Sequence, residues 1–263
     1  MNQSKDDASL VLLDFPADGV ARITLNRPAA RNALNSALRR ELKNTFHALK
    51  KEDSVKAVVL RGNQTCFAAG ADLKEVAQLG SLAVSRLSVL EFWKVIASFN
   101  KPLIAAVAGS ALGGGCELAQ HADIIIAGRN ARFGQPEVNV GIMPGGGATQ
   151  RLVRALGYWR AMHLILTGES IGADEAVALG LASKVVDDDT LDEHVIELAR
   201  HIASRPPIAL RYIKEVTQAG ADVALATGLQ LERRAFEQLF DTADQKEGMR
   251  AFIERRKPNF IGR

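Results

Sequence analysis

Residues 103–126 read LIAAVAGSALGGGCELAQHADIII. Leu103 to Val107 is a short uninterrupted apolar run, the pattern of a strand covered on both faces. Gly113-Gly114-Gly115 then precedes a short helical stretch, Cys116 to Ala119, and Ile124-Ile125-Ile126 is a further buried strand. Strand, glycine turn, helix and strand in so short a span define an α/β chain.

The same alternation extends upstream. The spacing predicts strands over 10–15, 20–25 and 55–61 and a helix over 36–51. Beyond Pro144 strand signals fade and helical periodicity persists. Thr190-Leu191-Asp192-Glu193 has the form of a capping box opening a helix through about His201, and Pro206-Pro207 separates it from a helix beginning near Ile208. The reading is a core of strand-strand-helix turns over 1–200, followed by a helical part over 201–263.

Composition fits one globular unit. Of 263 residues, 47% are hydrophobic and 24% charged, with ten Phe, two Trp and two Tyr, so the core is mainly aliphatic. Net charge is +3, from 33 basic against 30 acidic residues, which argues against nucleic acid or an anionic membrane as the main partner. Cys66 and Cys116 stand far apart with no Cys-x-x-Cys, giving neither a zinc site nor a disulfide framework. The polar start Met1–Asp7 and the short apolar stretch after it give no signal-peptide pattern, and no run is long enough to span a membrane; the expectation is a cytoplasmic protein. Asn63-Gln64-Thr65 matches a glycosylation sequon, read here as accidental.

Four segments combine glycine with a carboxylate or a turn. Ala69-Gly70-Ala71-Asp72-Leu73-Lys74 follows a strand, and its small residues admit a ligand close to the backbone, though such a turn is also ordinary loop chemistry. Gly113-Gly114-Gly115-Cys116-Glu117 puts unpaired N–H groups at a helix start, where they suit an anion or a developing oxyanion; tight packing on a sheet would also use these glycines. Pro136-Glu137 leaves a glutamate at the head of a loop. Gly145-Gly146-Gly147 leads into another helix but lacks a P-loop ending, and neither glycine run has a dinucleotide setting. No Gly-x-Ser-x-Gly elbow is present, and His121 beside Asp123 is read as a packing or hydrogen-bonding residue.

Together, Val20 to Asn35 with Thr24-Leu25-Asn26-Arg27-Pro28, Phe67 to Lys74, Ala111 to Ala119, Phe133 to Arg151 and Gly248 to Lys257 resemble the enoyl-CoA hydratase (crotonase) family in order and spacing over nearly the whole chain. Within it the likeness is to hydratases of short-chain or dicarboxylic enoyl-CoA, as used in fatty acid β-oxidation and phenylacetate catabolism. Gly145-Gly146-Gly147-Ala148 stands where relatives read Gly-Ala-Gly-Gly, a change conservative in size.

The resemblance implies a spiral of ββα turns with a helical C-terminal trimerisation part, assembled as a trimer or dimer of trimers. It implies an oxyanion hole from the N–H groups of Ala71 and Gly114, and catalytic glutamates at Glu117 and Glu137. Substrate-binding positions would be Ala69, Ala71, Asp72, Leu73, Lys74, Gly114 and Pro136. The implied substrate is an acyl-CoA thioester; coenzyme A enters as part of it, and neither a metal nor a further cofactor is called for. An isomerase of the same family would need Glu137 but not Glu117. The basic, aromatic tail Arg250, Phe252, Arg255, Arg256, Lys257 and Phe260 suits a CoA clamp, a solvated surface or, in a different functional class, single-stranded RNA. The segment 76–100, with Arg86, Phe92 and Trp93, is expected to border the acyl pocket.

Overall fold

The computed structural model describes residues 9–263; the polar stretch Met1–Asp7 therefore lies outside the described residues. Ten strands form two sheets: β1 Val11–Ala17, β2 Val20–Leu25, β3 Ala57–Arg61, β4 Cys66–Ala68, β5 Leu103–Val107, β6 Ser110–Leu112, β7 Ile124–Gly128, β8 Arg132–Gly134, β9 Ser170–Gly172 and β10 Lys184–Val186. The larger sheet runs β1-β2-β3-β5-β7-β10 and the smaller β4-β6-β8-β9. The larger sheet is parallel except for the β1–β2 hairpin, and the smaller is parallel except for β8–β9. Three consecutive strand pairs, β3–β4, β5–β6 and β7–β8, each place one strand in each sheet before the chain turns into helix. This is the ββα spiral.

Alternation along the strands sorts the core into two faces. Val58, Leu60, Leu103, Ala105, Val107 and Ile125 face one cluster, which includes Leu38, Leu42, Phe46 and Leu49 of the helix Ser36–Lys51. That helix is amphipathic at intervals of three and four, and the side chain of its N-cap, Asn35, accepts from Leu38 N at 2.9 Å. The opposite face, Ala57, Val59, Ile104, Ala106 and Ile126, is covered by Leu191, Val195, Ala199 and Ala203. The helix Leu191–Ala203 thus packs on the sheet, and a division at residue 200 falls inside it.

The expected capping box is not formed. Thr190 caps no N–H with its side chain, and its hydroxyl donates to Asp187 O at 3.1 Å. Asp192 pairs with Arg22 and Arg61 across the sheet edge, ion pairs that no local pattern announces. The Asn63 sequon is turn chemistry: its side-chain oxygen accepts from Thr65 N, Thr65 Oγ1 and Cys66 N, closing the bend from β3 into β4.

The C-terminal helices are Pro207–Gly220, Leu225–Leu239 and Ala243–Ile253. The first two contain no buried residue, and Ile213, Leu225, Leu229 and Phe236 are at least half exposed. The chain end folds back: buried Asp244 accepts from Ile261 N and Gly262 N at 2.7 and 2.9 Å. Arg256 of the basic tail is held by Glu247 and Glu254. Among the described residues no helix is long and apolar enough to cross a membrane.

Candidate active site

The spiral stacks the ends of successive turns, and this brings the glycine segments together. The segment after β4 reaches Gly70, whose φ of +104° turns the backbone, and Leu34 N donates to Gly70 O at 2.8 Å. After β6, Gly113 takes φ +50° before the helix Gly114–Gln120 begins. The two turns touch: a methyl carbon on Gly114 would stand 3.6 Å from Ala71 N, and one on Gly70 would stand 3.5 Å from Gly114 N. Among the described residues neither the Ala71 nor the Gly114 N–H donates to a protein acceptor. Close packing and donor geometry use the same residues, since a methyl on Gly115 would stand 2.0 Å from Ala68 O.

Glu117, one turn into that helix, is buried at 3% exposure. Its Oε1 accepts from Gly146 N at 2.6 Å and Ala148 N at 3.1 Å, at the start of the helix Ala148–Leu156. Burial pushes its carboxyl above the ordinary range, and the N–H groups of Ala148, Gly146 and Gly147 pull back against it. Glu137 lies in the 3-10 turn Pro136–Val140, where Pro136 fixes the first residue. Its carboxylate rests against the other glycine turn, with Oε1 2.9 Å from where a methyl on Gly113 would be. Burial, opposed by its own N–H and reinforced by the charge of Glu117, pushes the Glu137 carboxyl up to about 7. Gln135 is fully buried; with its amide oriented to satisfy both ends, it donates to both Glu137 oxygens at 3.2 Å and accepts from Gln120 Nε2 at 3.2 Å.

The structure thus unites Ala71, Gly114, Glu117 and Glu137. The remaining positions of the 69–74 segment differ in what they do. Ala69 N donates to Arg31 O. Asp72 caps the short helix Leu73–Val76 through Lys74 N at 3.1 Å and pairs with Arg27 at 2.7 Å. Burial raises the Asp72 carboxyl, but the Arg27 guanidinium and Lys74 more than offset it, leaving it below the usual range. Leu73 and Lys74 are exposed beside the Ala71 N–H. Arg86 is exposed, whereas Phe92 and Trp93 are buried.

Sequence reasoning missed the backbone donors at Gly146 and Ala148 and the Gln135 amide. The only local signal for the first is a glycine run opening a helix. Cys116, adjacent to Glu117, is inert: burial pushes its thiol up to about 12.

The raised Glu137 value has a stability consequence. The folded chain holds this proton more tightly than the unfolded chain, whose carboxyl titrates near 4.5, so wild-type stability falls as pH rises from there to about 7. Glu137→Gln, which cannot ionise, should therefore raise Tm at pH 8 relative to wild type by more than it does at pH 5. Equal Tm differences at both pH values would show that burial does not hold the proton.

The fold and these features define the class. A profile of the enoyl-CoA hydratase/isomerase family matches residues 16–263, and the chain belongs to that family of enzymes, which process acyl-CoA thioesters. It is 47% identical over 244 residues to the 2,3-dehydroadipyl-CoA hydratase of Escherichia coli, covering 93% of this chain and 96% of that protein. It is 43% identical to the short-chain-enoyl-CoA hydratase of Clostridium acetobutylicum, covering 90% and 92%. A crystal structure of enoyl-CoA hydratase from Bacillus anthracis superposes with a TM-score of 0.93 at 40% identity, covering 97% of this chain and all of that one.

Proposed function

We propose that this chain is an enoyl-CoA hydratase that adds water in syn fashion across the double bond of a 2-trans-enoyl-CoA, giving a 3-hydroxyacyl-CoA. The observation that carries the reading is the meeting of a buried carboxyl, Glu117, and a half-buried one, Glu137, with two adjacent unpaired N–H groups, Ala71 and Gly114.

The reaction needs stabilisation of charge on the thioester oxygen, an activated water at C3 and a proton for C2. Ala71 and Gly114 supply two donors for the oxygen, one of them at a helix N-terminus. Glu117, with Oε1 engaged by Gly146 and Ala148, keeps Oε2 to orient the water and take its proton. Glu137, raised to about 7, holds a proton near neutral pH and delivers it to C2. The two titrate as a coupled pair. The thioester supplies the activation, so the scheme calls on no metal and no further cofactor. The 69–74 segment and Pro136 line the approach of the CoA moiety and the acyl group. Two free, buried cysteines suit a reducing compartment such as the cytoplasm.

Loss of enoyl-thioester absorbance with crotonyl-CoA tests the reading: turnover to 3-hydroxybutyryl-CoA supports it. Conversion of 3-enoyl-CoA without hydration would instead identify an isomerase.

The half-exposed apolar residues of the C-terminal helices, with Phe252 86% and Ile253 79% exposed, support assembly as a trimer or a dimer of trimers. Light scattering should give three or six times 28.3 kDa. A single 28.3 kDa species would refute assembly.

A further inference from the structure

The helix Gly114–Gln120 sets an order of groups: the Gly114 N–H at its start, Glu117 one turn in, and His121 at its C-cap. His121 Nδ1 lies 2.8 Å from the carbonyl oxygen of Glu117, which makes Nδ1 the donor. Burial, with the charge of Arg151, pushes this imidazole down to about 4, so the ring is neutral at working pH. It stacks on Trp93, centroids 5.0 Å apart and planes within 16°. Trp93 in turn abuts the site: a methyl on Gly146 would stand 2.6 Å from Glu117 Oε2 and 2.6 Å from both Cε2 and Cζ2 of the indole. The indole and the free oxygen of Glu117 are therefore side by side.

His121 lines a cavity of about 690 Å³ together with Gly146, Gly147, Gln150, Arg151 and Gln218. Trp93 does not line it, although its stacking partner and the glycine it touches both do. The indole thus touches both Glu117's surroundings at Gly146 and the His121 ring, which belongs to this cavity's wall.

We propose that Trp93, braced by His121, is the end wall of the acyl pocket and a specificity-determining residue that confines the enzyme to short 2-enoyl chains. The inference rests on the hydratase reading and extends it to chain length. With the thioester oxygen at Ala71 and Gly114 and C3 beside Glu117, the acyl carbons beyond C3 run toward the indole. From Glu117 to His121 the helix rises about 6 Å, a distance an extended chain crosses in about five bonds. A chain much longer than that meets a buried ring held by stacking on one side and Gly146 on the other. Removing the indole would clear the space between Glu117 and the His121 ring and lengthen the pocket toward that wall.

The test compares wild type, Trp93→Ala and Trp93→Phe, the last keeping an aromatic wall. Hydration efficiency is measured on crotonyl-CoA and 2-decenoyl-CoA, and affinity for butyryl-CoA and decanoyl-CoA by calorimetry. Wild type should favour the short chain by about tenfold or more, the scale on which apolar pockets discriminate length. Trp93→Ala should shift the decenoyl-to-crotonyl ratio upward by about tenfold, and Trp93→Phe should keep it near the wild-type value. Wild type accepting both chains equally would overturn the proposal even if Trp93→Ala does not fold, as would a folded Trp93→Ala with an unchanged ratio. If wild type hydrates neither chain yet binds butyryl-CoA more tightly than decanoyl-CoA, the hydratase reading fails and the wall stands.

Discussion

Glu117→Gln should lower the hydration of crotonyl-CoA by about 10²- to 10⁴-fold, the range for loss of a general acid–base group, while leaving acyl-CoA affinity near wild type. The amide preserves the shape and can still accept from Gly146 and Ala148 through its oxygen, but it cannot take a proton from water. Glu137→Gln should lose hydration on a similar scale and should also stop solvent deuterium from entering C2 of butyryl-CoA, because the proton carrier at C2 is gone. Glu117→Gln should retain that exchange. The paired measurement separates the two roles. Near-wild-type hydration by Glu117→Gln would defeat the two-carboxylate scheme and favour an isomerase. Exchange that persists in Glu137→Gln and disappears in Glu117→Gln would reverse the assignments.

Gly114→Pro should reduce turnover by at least about 10²- to 10³-fold, the cost of one oxyanion donor. Gly114 is the first residue of its helix, a position where proline is tolerated because the missing N–H has no helical partner. The substitution therefore removes the donor and places ring carbons beside Ala71 N while leaving the helix intact. Circular dichroism should match wild type. A folded Gly114→Pro enzyme with undiminished turnover would remove Gly114 from the site.

The three cases where local pattern and structure part company share a cause. Thr190-Leu191-Asp192-Glu193 reads as a capping box, yet Asp192 is drawn to Arg22 and Arg61, 170 and 131 residues away in sequence. The short strands β4, β6, β8 and β9, three residues each, carry no periodicity to read, and they form only because each turn of the spiral lays one on the next. The helix Leu191–Ala203 likewise has a legible apolar stripe, but the stripe does not say that it covers the sheet rather than joining the C-terminal helices.

The sequence by itself determined the α/β class, the buried strands around Leu103–Val107 and Ile124–Gly128, the helix behind Asn35, and the identity of the glycines and glutamates at issue, because apolar runs, helical periodicity and capping are properties of neighbours in the chain. Tertiary structure decided how those groups behave. Glu117 takes its hydrogen bonds from residues 29 and 31 positions further on, Trp93 reaches it from an earlier turn, and Glu137 is raised to about 7 by surroundings drawn from several turns. Desolvation and electrostatic field are sums over everything nearby in space, and only the stacking of the spiral fixes what is nearby.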